Sequence, residues 1–195
     1  MLVCDLDGTL INEELGLEFR KWLFRNGHFG FGRIFLAFLF NPINIISRTM
    51  NRGAIFSAWS SFRKKSDSED LVKRFISESH SIFNFNQRVI STIESYDGEK
   101  VLLSGSDKIL ISELLRFFDF RLFDKVIGSE TKYFGLLFSI QPLGKGKLIV
   151  DSPRLAIGDS WQDRFLLMNS SKAMIVGGDR RLNNLAKEQG WERLS

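Results

Sequence analysis

Cysteine is almost absent from this chain of 195 residues: Cys4 stands alone, so no disulfide can form within the chain and a reducing compartment is the simpler setting. Cys4 sits in a short apolar run and reads as a small buried hydrophobe. Histidine is scarce too, and His28 and His80 lie in segments peripheral to the apolar strands, where surface or structural roles suit them. No apolar run approaches the ~20 residues that span a membrane. The strongest, residues 34–40, follows Arg33 and ends at Asn41-Pro42. Asp5 and Asp7 stand where a secretory signal needs an unbroken apolar region, so none is expected. The nucleotide P-loop is missing, because Gly144-Lys145-Gly146-Lys147 has neither its spacing nor its following hydroxyl. A calcium loop at Asp5 is excluded by the early Gly8, and Ser104 has no Gly-x-Ser-x-Gly frame. Hydrophobic residues make up 44% of the chain, which excludes a disordered or fibrous class and leaves room for one mid-sized core with an inserted subdomain.

The most informative segment that is present is Val3-Cys4-Asp5-Leu6-Asp7-Gly8-Thr9-Leu10. In an extended strand alternate side chains share a face, so Asp5 and Asp7 point into one site if the strand continues that far. Gly8 permits a sharp turn, and Thr9 adds a hydroxyl and an amide. Two carboxylates so placed suit a nucleophile and a separate proton donor. Residues 100–107 read as a buried strand ending in Ser104-Gly105-Ser106, followed by an amphipathic helix over 108–117. A hydroxyl and free amides at a strand-to-helix turn form an anion seat, which makes Ser104 a candidate phosphate ligand. Lys145 and Lys147 lie in a glycine turn from which a lysine can reach a phosphoryl oxygen. A third apolar strand then ends in Gly158-Asp159, with Asp163 four residues on.

In this order the residues resemble the four motifs of the haloacid dehalogenase superfamily, in its phosphoserine-phosphatase-like branch. The motifs here are Asp5/Asp7, Ser104, Lys147 and Asp159/Asp163. The resemblance implies that Asp5 attacks phosphorus to give an aspartyl-phosphate while Asp7 serves as general acid and then base. It implies Mg2+ held by Asp5, Asp159 and the Asp7 backbone carbonyl, an all-oxygen donor set suited to that ion. Ser104, Gly105 and Lys147 are expected to hold the phosphate, with Thr9, Asp163 and Lys145 as auxiliaries. Lys147 is preferred to Lys145 because Leu148-Ile149-Val150 anchor it, while Lys145 sits between glycines. The second acid, Asp7, separates phosphate chemistry from the dehalogenase branch.

The expected fold is α/β: a doubly wound, mostly parallel, Rossmann-like sheet with an inserted helical cap. Strands are expected near 2–6, 100–104, 125–128, 154–158 and 172–176, with a short β excursion over 132–142. Residues 1–11 and 86–195 form the catalytic core, and 12–85 the cap. From Glu14 to Lys65 nine basic residues face two acids, a net +7 in a chain of net +4, and eleven aromatics from Phe19 to Phe62 interleave with them. Three readings of this segment follow. Its aromatics form the cap's own core beneath a solvated basic face, or they line a greasy cleft with a cationic rim that takes a lipid or isoprenoid phosphate at an anionic membrane. Nucleic acid is the third and weakest, since no binding motif appears. In composition the cap is similar to that of bacterial phosphatidylglycerophosphate phosphatases. The resulting expectation is a Mg2+-dependent phosphomonoesterase, cytoplasmic, with peripheral contact at the inner membrane face as the cap's option. The alternatives are a phosphatase or phosphotransferase for a small metabolite such as phosphoserine or a sugar phosphate, and a non-catalytic binding module on the same fold.

Overall fold

The computed structural model describes residues 1–28, 65–134, 137–141 and 152–194. Lys145, Lys147, the apolar run 34–40 and most of the basic aromatic segment lie outside the described residues. Seven strands form one sheet: β1 (Leu2–Cys4), β2 (Lys100–Asp107), β3 (Lys125–Phe134), β4 (Leu137–Gln141), β5 (Leu155–Gly158), β6 (Lys172–Val176) and β7 (Glu192–Leu194). Their spatial order is β4-β3-β2-β1-β5-β6-β7. Six run parallel, and β4 closes one edge antiparallel to β3, with Glu130 opposite Gln141 and Phe134 opposite Leu137. This hairpin is the β excursion expected before the glycine turn, although β3 continues well past 128.

Alternation in β1 sets the two faces. Leu2 and Cys4 join one apolar cluster and Val3 the other. The first cluster is covered by α1 (Leu15–Arg25), α2 (Lys65–Ser79), α3 (Gln87–Ser95) and α4 (Lys108–Phe117). The second is covered by α5 (Arg164–Met168) and α6 (Arg180–Gln189), through Leu166, Leu167, Leu182 and Ala186. Each fully buried aliphatic or aromatic side chain contributes about 1.5–3 kcal/mol by leaving water. Helix α1 presents Leu15, Phe19, Trp22 and Leu23 on one stripe at helical spacing, and the rings of Phe19 and Trp22 pack tilted against Phe75 of α2. These two aromatics of the basic segment are therefore core residues, whereas Phe24 is 53% exposed.

Strand β1 is shorter than the 2–6 expected. Asp5 N–H still donates to Ile157 O (3.0 Å), but the Leu6 carbonyl accepts from the N–H groups of Thr9, Leu10 and Ile11, so a turn begins at Leu6. Strand β2 is longer than expected. It carries an irregularity between Leu103 and Asp107 in its pairing with β3, and Ser104 lies inside this stretch. Strand order reverses at β1, whose neighbours are β2 and β5, and side chains at the carboxyl ends of these three strands share the crevice that such a reversal creates.

Candidate active site

The crevice beyond β1 and β5 gathers three acids. Carboxylate oxygens of Asp5, Asp159 and Asp163 all lie within 4.8 Å of one another. Asp5 is buried at the end of β1, Asp159 follows the last residue of β5, and Asp163 is buried one turn later. Unit charges at such spacing repel by about 3 kcal/mol per pair at an effective dielectric near 20, so a cation among them is favoured. The donors are carboxylate oxygens throughout, which fits a hard divalent ion such as Mg2+.

Local chain geometry builds this cluster. Asp163 Oδ2 accepts from Ser160 N–H (3.0 Å), Ser160 Oγ–H (2.8 Å) and Asp159 N–H (3.3 Å), a capping box that folds residues 159–163 back over the strand end. Gly158 allows the closure, since a Cβ there would come within 2.9 Å of Asp163 Cβ. Gly8, at φ +77°, lies directly under the Asp159 carboxylate, which a Cβ would strike. Thr9, fully buried, donates to Asp159 Oδ1 at 3.3 Å. The negative charge reaches Cys4, whose thiol is pushed well above its usual range by burial first and by Asp5 and Asp163 next.

Asp7 has different partners. The turn at Leu6 aims its carboxylate at β2 and the start of α1: Oδ1 accepts from Leu15 N–H (2.7 Å), and Oδ2 accepts from the Ser104 and Ser106 hydroxyls, both at 2.8 Å. Glu14, at the N-cap of α1, makes no side-chain cap, so Asp7 supplies from a distance the acceptor that a cap would give. An extended strand carrying both acids on one face is thus replaced by a turn that divides them between two sets of contacts. Ser104 is fully buried, and its oxygen also accepts from Ser106 N–H (2.9 Å). At the start of α4, Asp107 caps the helix by accepting from Ile109 N–H (2.8 Å). Gly105, between the two serines, presents its carbonyl to the Ser129 hydroxyl (2.7 Å).

Two contributors escape a reading of motifs. Ser106 is one, though its spacing of two from Ser104 is the strand signal for a shared face. Ser160 is the other, legible as the first residue of a Ser-x-x-Asp capping box. A separate cleft of about 430 Å3 between α2 and α4, lined by Glu69, Lys73, Asp107, Lys108, Glu113 and Arg116 among others, contains no residue of the acidic cluster. Lys73, Lys108 and Arg116 are paired there with Asp70, Glu130 and Glu113.

Residues 2–179 match the family model described as haloacid dehalogenase-like hydrolase. No curated protein sequence matches the chain. Among solved structures, a protein of unknown function from Bordetella pertussis Tohama I is similar with TM-score 0.79 and 14% identity, over 100% of this chain and 97% of that one. A phosphoserine phosphohydrolase-like protein from Francisella tularensis subsp. tularensis SCHU S4 aligns with TM-score 0.60 and 15% identity, over 99% and 94%. A phosphoserine phosphatase solved as a phospho-aspartyl intermediate analogue aligns with TM-score 0.57 and 12% identity, over 94% and 88%. At these identities the likeness to solved structures is one of fold.

Proposed function

Since this chain belongs to the haloacid dehalogenase-like hydrolase family, we propose that it is a Mg2+-dependent phosphatase that hydrolyses a phosphomonoester through an aspartyl-phosphate on Asp5. The observation that carries the reading is the acidic cluster of Asp5, Asp159 and Asp163 at the sheet's reversal point, with Asp7 beside it in contact with two hydroxyls. An Asp5 oxygen forms the bond to phosphorus as the bond to the leaving oxygen breaks, and Asp7 gives that oxygen its proton. Water then attacks phosphorus, its proton passes to Asp7, and Asp5 is released. Asp5, Asp159 and the Asp7 carbonyl would hold the metal, which would supply positive charge to stabilise the phosphoryl group. Asp163 and Thr9 hold Asp159 in place. Ser104 and Gly105 receive the phosphate together with Lys147, or with Lys145 in its stead.

Residues 12–85 act as the cap over a core of 1–11 and 86–195. The two linkers run side by side in support of this division: Asn12 N–H donates to Asn84 O (3.0 Å), Asn86 N–H to Leu10 O (2.9 Å), and Glu13 accepts from Asn84 N–H and its side-chain amide. The substrate carries an apolar portion, as a lipid or isoprenoid phosphate does, in keeping with the basic aromatic composition of residues 14–65 and with Phe24 and Leu17 exposed on α1. Peripheral contact with an anionic membrane belongs to the same reading, and no helix among the described residues is long and apolar enough to cross one. A small phosphorylated metabolite is the second reading, favoured by the burial of Phe19 and Trp22, which spends aromatics on the core rather than on a cleft.

The test is phosphate release from a panel of phosphatidylglycerophosphate, an isoprenoid phosphate, phosphoserine and an aryl phosphate, with and without Mg2+, using wild type and Asp5→Asn. Release that requires both Mg2+ and Asp5 is expected, with lipid phosphates preferred. Equal or better turnover of phosphoserine moves the substrate to the second reading, and release that persists in Asp5→Asn rejects the aspartyl-phosphate.

A further inference from the structure

Ser106 has no role in the scheme above, yet its hydroxyl donates to Asp7 Oδ2 at 2.8 Å, the oxygen that also takes the Ser104 hydroxyl. The three donors around Asp7 differ in what they can do during turnover. Leu15 N–H, on Oδ1, is a backbone group fixed by α1 and serves only as a donor. The Ser104 hydroxyl, on the phosphatase reading, turns to the incoming phosphate and leaves Asp7. Ser106 is then the one side-chain hydroxyl of these three contacts that stays. A Cβ on Gly16 would stand 3.7 Å from Ser106 Oγ, so the first turn of α1 lies over this hydroxyl.

We infer that Ser106 is a positioning residue for Asp7, holding the carboxyl oxygen that hands its proton to the leaving group and takes one back from water. The inference rests on the phosphatase reading. A hydroxyl suits the task because it both donates and accepts. While Asp7 carries its proton, Ser106 accepts or stands aside; once the bond from phosphorus to the leaving oxygen has broken and that oxygen has taken the proton, Ser106 donates to the carboxylate left behind. When water attacks phosphorus and displaces Asp5, its proton returns to Asp7 and the hydroxyl turns back. An alanine at 106 leaves Oδ2 without this guide, and the carboxyl can rotate away from the leaving oxygen.

Leaving-group dependence separates this role from a structural one, because a good leaving group departs without a proton and a poor one does not. Ser106→Ala, Ser106→Thr and Asp7→Asn are compared with wild type on nitrophenyl phosphate and on the best alkyl phosphate of the panel, with kcat and KM measured separately. Ser106→Ala is expected to lower kcat about 10-fold on the alkyl ester. On the aryl ester it should change the rate of the first, pre-steady-state release of nitrophenol, which precedes the water step, by less than about 2-fold, with KM little altered on either. Ser106→Thr, which keeps the hydroxyl, should restore most of the alkyl turnover, and Asp7→Asn should show the same bias more strongly. Equal losses on both esters, no loss, or a threonine variant that behaves as alanine overturns the inference while the phosphatase reading stands. Absence of any Asp5-dependent release by wild type overturns both.

Discussion

At Gly8 the backbone turns through φ +77° beneath the Asp159 carboxylate, so the same residue makes the turn and leaves space for that side chain. Gly8→Ala should cost about 1–2 kcal/mol from the left-handed backbone alone. It should also displace Asp159 and raise the Mg2+ concentration needed for half-maximal activity. A denaturant midpoint and a Mg2+ titration measure the two effects, and a variant with the wild-type Mg2+ response would mean that Asp159 is not held by this contact. Residue by residue, the acids were the legible part of the site: Asp5, Asp159 and Asp163 do meet, as their places at strand ends imply. The setting of Asp7 was not legible. It depends on where the strand yields to a turn, and the three N–H groups converging on the Leu6 carbonyl decide that, not the alternation of side chains. Ser106 escaped for a related reason, since its partner is 99 residues away in sequence.

Helices α1 and α2 meet through a polar clamp as well as through Phe19 and Phe75. Trp22 Nε1–H donates to Glu78 Oε2 (2.9 Å), Arg74 Nε–H donates to Glu78 Oε1 (2.6 Å), and the Arg74 guanidinium lies 5.9 Å from the centre of the Trp22 ring. The hydrogen bond from Arg74 first, and that from Trp22 next, hold the Glu78 carboxyl below its ordinary 4.5. A carboxyl lowered in the folded state stabilises above its unfolded value and loses that contribution as pH falls through the folded one. The thermal midpoint should therefore decline on acidification below 4.5, and Glu78→Gln should flatten that part of the curve. Melting curves of both proteins from about pH 3 to pH 7 check this, and parallel curves would assign the acid sensitivity elsewhere. Elements with strong periodicity were legible in the sequence, α4 over Lys108–Phe117 among them. Strand β7 was not, because Glu192-Arg193-Leu194 puts two charges into three residues and becomes a strand only by pairing with β6.

Across the whole molecule, the order of the apolar segments pointed to a doubly wound, mostly parallel sheet with the motif acids at strand ends, and the architecture agrees. What the order could not convey is which side chains close on each other across the crevice. Cys4 reports on this centre. Fully buried in β1, with a thiol pushed to high pKa by burial and by neighbouring carboxylates, it should resist alkylation in the native protein. Labelling should set in at the same denaturant concentration as the loss of helical circular dichroism. Labelling at lower denaturant would reveal a sheet that opens before the helices melt. The position of β1 has a further consequence for the ribosome. Leu2 pairs with Lys100 on one side and Leu155 on the other. During synthesis β1 therefore has neither of its neighbours until residues 100–107 and then 155–158 have emerged. Loop closures of such length slow folding, and overproduction at reduced temperature or with a holding chaperone should raise the soluble yield.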